Sequence, residues 1–143
     1  MAYVVRASQL ISVPPLAAFD RLADHDSWRR WMPASFRPVG ETVGRLAEGA
    51  RFRVRILGLP FAVTCKVSVV RSPAEIAWCG GMKGGLWAEH RFLFEPRGEA
   101  SVEVHSVEAW VGPIAALLRP GIEPGARRVG RQQLEALAAA ASP

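Results

Sequence analysis

A chain of 143 residues has the length of one domain, enough to bury a core and short for two. Half of the residues are hydrophobic and 22% are charged, a balance that excludes general disorder. The net charge of +5 rests mainly on arginine, because Lys66 and Lys83 are the only lysines; the arginines are scattered, so charge by itself does not mark a nucleic-acid binder.

The segment Met1 to Gln9 has no basic stretch ahead of a long apolar run, and Arg6 interrupts it, so no secretory signal is expected. No stretch reaches the ~20 apolar residues of a membrane span. The cytoplasm is the expected compartment. Residues 3–13 alternate as a first strand, with Val5, Ala7, Gln9 and Ile11 on one side. Pro14-Pro15 ends that strand and can open a helix whose face is Leu16, Phe19 and Leu22. Asp24 is placed to cap a second short helix ending at Pro33, with Trp28, Trp31 and Met32 on one face.

Strands follow. Phe36 to Thr42 predicts a short one and Gly44 to Gly49 a polar turn. Arg51 to Leu57 alternates with Phe52, Val54 and Ile56 inward and Arg51, Arg53 and Arg55 outward. Three arginines on one face can meet phosphates, although a solvated sheet face is the commoner use. Phe61 to Val70 predicts a strand with Phe61, Val63, Cys65, Val67 and Val69 inward. Glu75 to Gly80 predicts another, with Ile76 and Trp78 inward. Cys65 and Cys79 then lie on opposite faces, a poor geometry for a bridge, and both are expected as free thiols. The glycine-rich loop 80–85 lacks the phosphate-loop pattern and joins two strands, so it reads as a hairpin loop.

Residues 85–112 predict two long strands around a tight turn at Pro96-Arg97-Gly98-Glu99. The expected pairing sets Phe94 opposite Val102 and His90 opposite Ser106. All even-numbered residues then share one face, which is apolar except for His90, Ser106 and Glu108. After Gly112 the spacing is helical through Ile114, Leu117 and Leu118. It is interrupted at 119–125 by Pro120 and Pro124, and resumes from Ala126 to Ala141 with a stripe of Val129, Leu134 and Leu137. Short turns throughout imply a meandering antiparallel sheet.

The run Ile11-Ser-Val-Pro-Pro, then Phe19-Asp-Arg-Leu and Trp28-Arg-Arg-Trp31-Met-Pro33, resembles the opening of the START-like helix-grip superfamily (SRPBCC, polyketide cyclase/dehydrase and lipid-transport type). Glu75-Ile-Ala-Trp78, Glu89-His90-Arg-Phe92 and His105 through Gly112 are similar to its later strands, so the resemblance spans nearly the whole chain. It implies an α+β helix-grip fold over residues 1–143 as one ligand-binding domain. In that fold a curved antiparallel sheet of six to seven strands wraps a long C-terminal helix, with two short helices after the first strand and a hydrophobic cavity between sheet and helix. Pro120 and Pro124 put a single straight C-terminal helix in doubt. The superfamily shares no catalytic motif, so none is carried onto this chain.

The residues gathered inward are Phe52, Val54, Ile56, Val63, Val67, Trp78, His90, Phe92, Val104, Ser106, Glu108 and Trp110, an apolar lining with a few convergent polar groups. His90 and Glu108 come out as diagonal neighbours; in contact, the carboxylate would favour a protonated histidine and make an acid/base pair. The bland alternative is a buried Glu satisfied by Ser106 or His90. Three functions remain open: a carrier or sensor of a small hydrophobic ligand, the reading preferred; a cyclase or dehydratase using His90 and Glu108; or a partner-binding module using Arg51, Arg53 and Arg55. No cofactor is expected, and no metal, since His25, His90 and His105 lack ligand spacing. Nucleic acid is not an expected partner. Monomer and dimer both stay open.

Overall fold

The computed structural model describes residues 2–143. Its centre is a curved seven-stranded antiparallel sheet in the order β1-β7-β6-β5-β4-β3-β2. β1 is Ala2–Ile11, β2 Phe36–Val39, β3 Arg51–Ile56, β4 Val63–Arg71, β5 Glu75–Met82, β6 Leu86–Pro96 and β7 Val102–Val111. Each connection from β2 to β7 joins neighbouring strands, while β1 pairs with β7 at the far edge. The helix-grip α+β architecture expected from the sequence is therefore present.

Four local differences have identifiable causes. The turn between β6 and β7 spans residues 97–101, closed by the Arg97 N–H donating to the Ser101 carbonyl at 2.9 Å. The register moves by two residues, so that Phe94 faces Val104 and His90 faces Glu108. Because side chains alternate with period two, a shift of two preserves every face. In β4 a bulge between Val67 and Val69 inverts the alternation, and Val70 packs on the core in place of Val69. Phe61, expected inward, precedes β4 and is 61% exposed. β2 stops at Val39, ahead of Gly40 at φ +75°.

Helix α1, Pro15–Ala23, buries Ala18, Phe19, Leu22 and Ala23 and leaves Leu16 half exposed. A 3₁₀ turn, His25–Ser27, leads into α2, Trp28–Trp31. Asp24 makes no side-chain cap; its backbone bridges to Arg45 instead, and the Ser27 hydroxyl donates to the Asp24 carbonyl at 2.7 Å. Trp28 and Met32 are buried and Trp31 half-buried.

At the C-terminus α3, Pro113–Leu117, is followed by α4, Arg119–Ala141. The expected break at 119–125 is absent: the interruption lies at Leu118, and α4 runs unbroken through Pro120 and Pro124. Pro120 occupies the first turn, where an N–H has no intrahelical partner. Pro124 follows it by one turn and removes a single hydrogen bond near the helix start. α4 then lies across β1 and β7 and meets α1, burying Val129, Leu134 and Leu137 together with Gly130 and Gln133. No helix among the described residues is long and apolar enough to cross a membrane.

Gly112 ends β7 at φ +111°, and a Cβ there would lie 2.2 Å from the Gly85 carbonyl oxygen, which also accepts the Ile114 N–H at 3.0 Å. Gly112→Ala is expected to destabilise the fold by about 3 kcal/mol or more through strain and lost contact. The urea midpoint measures it; an unchanged midpoint would show that this junction is not constrained.

Candidate functional site

The pairings align inward residues of five strands in one rung. Val5 faces Glu108, Glu108 faces His90, His90 faces Trp78 and Trp78 faces Val67. The neighbouring rung carries Ala7, Ser106, Phe92 and Ile76. Alternation puts both ionisable groups on the inner face, and the β6–β7 register sets them side by side under α4.

The polar groups form a line. Trp110 Nε1–H donates to Glu108 Oε1 at 2.7 Å, and Glu108 Oε2 lies 3.3 Å from His90 Nδ1. His90 Nε2 and Ser106 Oγ are hydrogen-bonded at 2.7 Å. α4 covers the end of this line through Gly130, whose missing Cβ would sit 3.3 Å from Ser106 Oγ. His90 and Ser106 are buried, and the Glu108 side chain keeps 16% of its surface exposed. Tyr3, opposite Trp110, donates its hydroxyl to the Ala115 carbonyl at 3.0 Å and so ties α3 to the same region.

Burial sets the charge of the pair. It pushes His90 down to about 3 and Glu108 up to about 7, with the Trp110 hydrogen bond opposing the second shift. The histidine is neutral, contrary to the expectation that the carboxylate would hold it protonated. An ion pair would have to keep two charges out of water at once, and desolvation opposes each of them.

Phe52, Val54, Val67, Trp78, Phe92 and Val104 are buried, and Ile56, Val63 and Trp110 are half-buried. They pack against other side chains. Trp78 has the rings of Trp28, Phe52, Phe92 and His90 within 5.4 Å of its own. The interior between sheet and helices is thus filled by aromatic rings. A hollow of about 270 Å³ opens at the edge of α4, lined by Pro33, Ala34, Ser35, Leu57, Arg128 and Gln132, none of them a residue singled out for the site. Ser35 Oγ donates to Gln132 Oε1 at 2.5 Å beside it.

Gln133, next along α4, went unnoticed in the sequence. It is buried, and neither its Oε1 nor its Nε2 has a hydrogen-bond partner among the described residues. It stands one turn beyond Gly130, on the helix face that covers Ser106. The sequence signal was available: Val129, Gln133 and Leu137 share the i, i+4, i+8 spacing of a core stripe. His25 is a second case. Its Nδ1 accepts from the Val43 N–H at 3.0 Å, so Nε2 carries the proton, and that buried donor has no acceptor among the described residues.

Cys65 and Cys79 are free thiols, as expected from their faces. His105 points to the outer face, where it meets Ser8 and Glu95. Glu95, Glu103 and His105 gather there, and Arg97 already bridges both carboxylates.

The family described as "Polyketide cyclase / dehydrase and lipid transport" matches residues 3–142. No curated protein matches the chain. Among solved structures, the aromatase/cyclase Zhui from Streptomyces sp. R1128 superposes with a TM-score of 0.74 at 17% identity, over 99% of this chain and 94% of that one. Norcoclaurine synthase from Thalictrum flavum, in complex with dopamine and hydroxybenzaldehyde, gives 0.71 at 13% identity over 97% and 86%. A hypothetical protein from Helicobacter pylori gives 0.74 at 20% identity over 98% and 88%. At these identities the likeness is one of fold.

The charge state is testable by pH. Unfolded, His90 titrates near 6.5 and Glu108 near 4.5. From pH 4.5 to 6.5 folding transfers a proton from imidazole to carboxyl with no net uptake, and the pair leaves stability flat. In Glu108→Gln the unfolded state alone binds the His90 proton, so stability should rise with pH between 3 and 6.5. In His90→Leu the folded state holds the extra proton on Glu108, so stability should fall as pH rises from 4.5 to 7. Urea midpoints across pH read both slopes; equal slopes in the two variants would refute the neutral pair.

Proposed function

This chain belongs to the polyketide cyclase/dehydrase and lipid transport family, and we propose that it holds a small, mostly apolar ligand bearing a hydrogen-bonding group between the sheet and α4, as carrier or sensor. The observation that carries this reading is Gln133. A buried amide with both atoms unpartnered destabilises the fold by about 1–3 kcal/mol, and a ligand that accepts from Nε2 and donates to Oε1 would remove that penalty. A phenol or a hydroxy-carbonyl compound has the required pair of groups. The hollow of about 270 Å³ lies beside Gln132, so a shift of α4 that releases the Ser35–Gln132 bond opens a path inward. Trp78, His90, Phe92, Val104, Ser106 and Trp110 would form the sheet-side wall, with Phe52, Val54, Val63 and Val67 toward β3 and β4. The aromatic molecules in the norcoclaurine synthase complex are of the same size and polarity class.

A second reading, an enzyme of cyclase or dehydratase type, is favoured by Glu108. Its carboxyl is protonated up to near neutral pH, oriented by Trp110, and partly exposed. Such a group can protonate a departing hydroxyl. His90, sealed between Glu108 and Ser106, would act by positioning it.

Gln133→Leu is expected to stabilise the protein by about 1 kcal/mol while weakening ligand binding about tenfold or more. Urea unfolding and titration with 2-naphthol measure the two, alongside native mass spectrometry of protein from its own host for a retained small molecule. A less stable variant with unchanged binding would sink the carrier reading. For the enzyme reading, Glu108→Gln should cut turnover of a β-hydroxy carbonyl substrate about a hundredfold and spare 2-naphthol binding. Retained turnover would exclude it.

A further inference from the structure

The sheet register collects three connections at one end of the molecule. Cys65 faces Gly80, Met82 faces Leu86 and Trp87 faces Val111. Residues 57–62, residues 83–85 and α3 therefore share a rim, and the Gly85 carbonyl accepts the Ile114 N–H at 3.0 Å. Most of the large hydrophobic side chains left in solvent stand here. Phe61 is 61% exposed, Met82 67% and Leu117 78%, with Leu57, Leu59 and Leu118 beside them. Apolar side chains exposed on neighbouring loops, the end of β5 and α3 make one greasy edge.

The charge around this edge is mainly positive, and its two carboxylates, Glu123 and Glu89 on the outer face of β6, are each held by an arginine. Arg55 lies at the rim end of β3, Arg53 and Arg51 stand behind it on the outer face, and Lys83 occupies the β5–β6 loop over the Trp87 ring at 5.2 Å. Arg55 is paired opposite Arg37, and Arg51 opposite Lys66. Cations directly opposite cations weaken a sheet. None of Arg51, Arg53 and Arg55 joins an ion pair among the described residues. Glu95, Glu99 and Glu103, by contrast, lie at the opposite end, in and beside the β6–β7 turn. At the rim, Glu123 is held by Arg119 at 2.9 Å.

We propose that this rim docks on an anionic lipid bilayer, with Leu59, Phe61, Met82 and Leu117 in the interfacial layer and Arg53, Arg55 and Lys83 against the headgroups. Exposed apolar side chains and free cations on one edge match that surface, where side chains bury in the acyl boundary while cations stay at the phosphates. A nucleic acid would satisfy the arginines and leave the apolar side chains in water. The inference does not depend on what the interior holds, because every docking residue is exposed.

Flotation of the full chain with phosphatidylcholine vesicles, and with vesicles containing about three parts in ten phosphatidylglycerol, tests it. Retention on the anionic vesicles only, falling as salt rises, is the expected result. Leu59→Asp with Phe61→Asp should lower partitioning about tenfold or more, and Arg53→Ser with Arg55→Ser about fivefold per cation. These positions are exposed, so neither variant should lower the parent's urea midpoint, and the serine variant, which removes the Arg55–Arg37 pairing, should match or exceed it. No retention on anionic vesicles, or equal retention of the aspartate variant, would overturn the proposal. So would binding to poly(U) RNA without binding to vesicles.

Discussion

The loss of water around Glu108 and His90 is the constraint on which the inner face of this protein depends. At 3.3 Å the two groups are close enough to attract, yet α4 and the aromatic rings leave little solvent to support either charge. The stable arrangement is a neutral pair, with Trp110 and Ser106 satisfying its ends. Neutrality lets α4 lie directly on the sheet, and Gly130 lets it come close enough to cover Ser106. The same arrangement leaves one carboxyl partly exposed and protonated near neutral pH, the state from which either a ligand hydrogen bond or a proton transfer begins.

Against that satisfied line, Gln133 is an imperfection. The residues around it follow the rule that buried polar atoms find partners, and it does not. An apolar side chain would pack there at lower cost, and the proposed ligand would give the amide its partners. A filled aromatic interior and an orphaned amide belong together in this view. On the proposed carrier reading, the rings close the space when nothing occupies it, and the amide favours occupation.

The surface is divided in a similar way. Carboxylates and their arginine partners cluster about the β6–β7 turn, where Arg97 joins Glu95 and Glu103. The opposite rim leaves Arg51, Arg53 and Arg55 without a carboxylate partner among the described residues and its leucines in water. Exposed apolar side chains and facing cations both reduce stability, and the proposed docking on a bilayer accounts for their coincidence on one edge.

Period-two alternation is a local property, and it was legible along the chain. It identified the strands, the inward set from Phe52 to Trp110, and the opposite facing of Cys65 and Cys79. Even the misplaced β6–β7 turn did no harm to the faces, because its error was two residues. What alternation could not carry was anything depending on a partner strand or on solvent. The β4 bulge that brings Val70 inward arises from pairing with β5, and Phe61 is exposed because β3 and β4 stop pairing before it. α4 continues through Pro124 because its packing on β1, β7 and α1 outweighs one missing hydrogen bond. Which residues face inward is therefore written in the sequence wherever the strands pair without a bulge. The neutral state of His90 and Glu108, and the isolation of Gln133, were decided only when tertiary packing removed the water around them, since desolvation is a property of the whole enclosure and not of any local stretch.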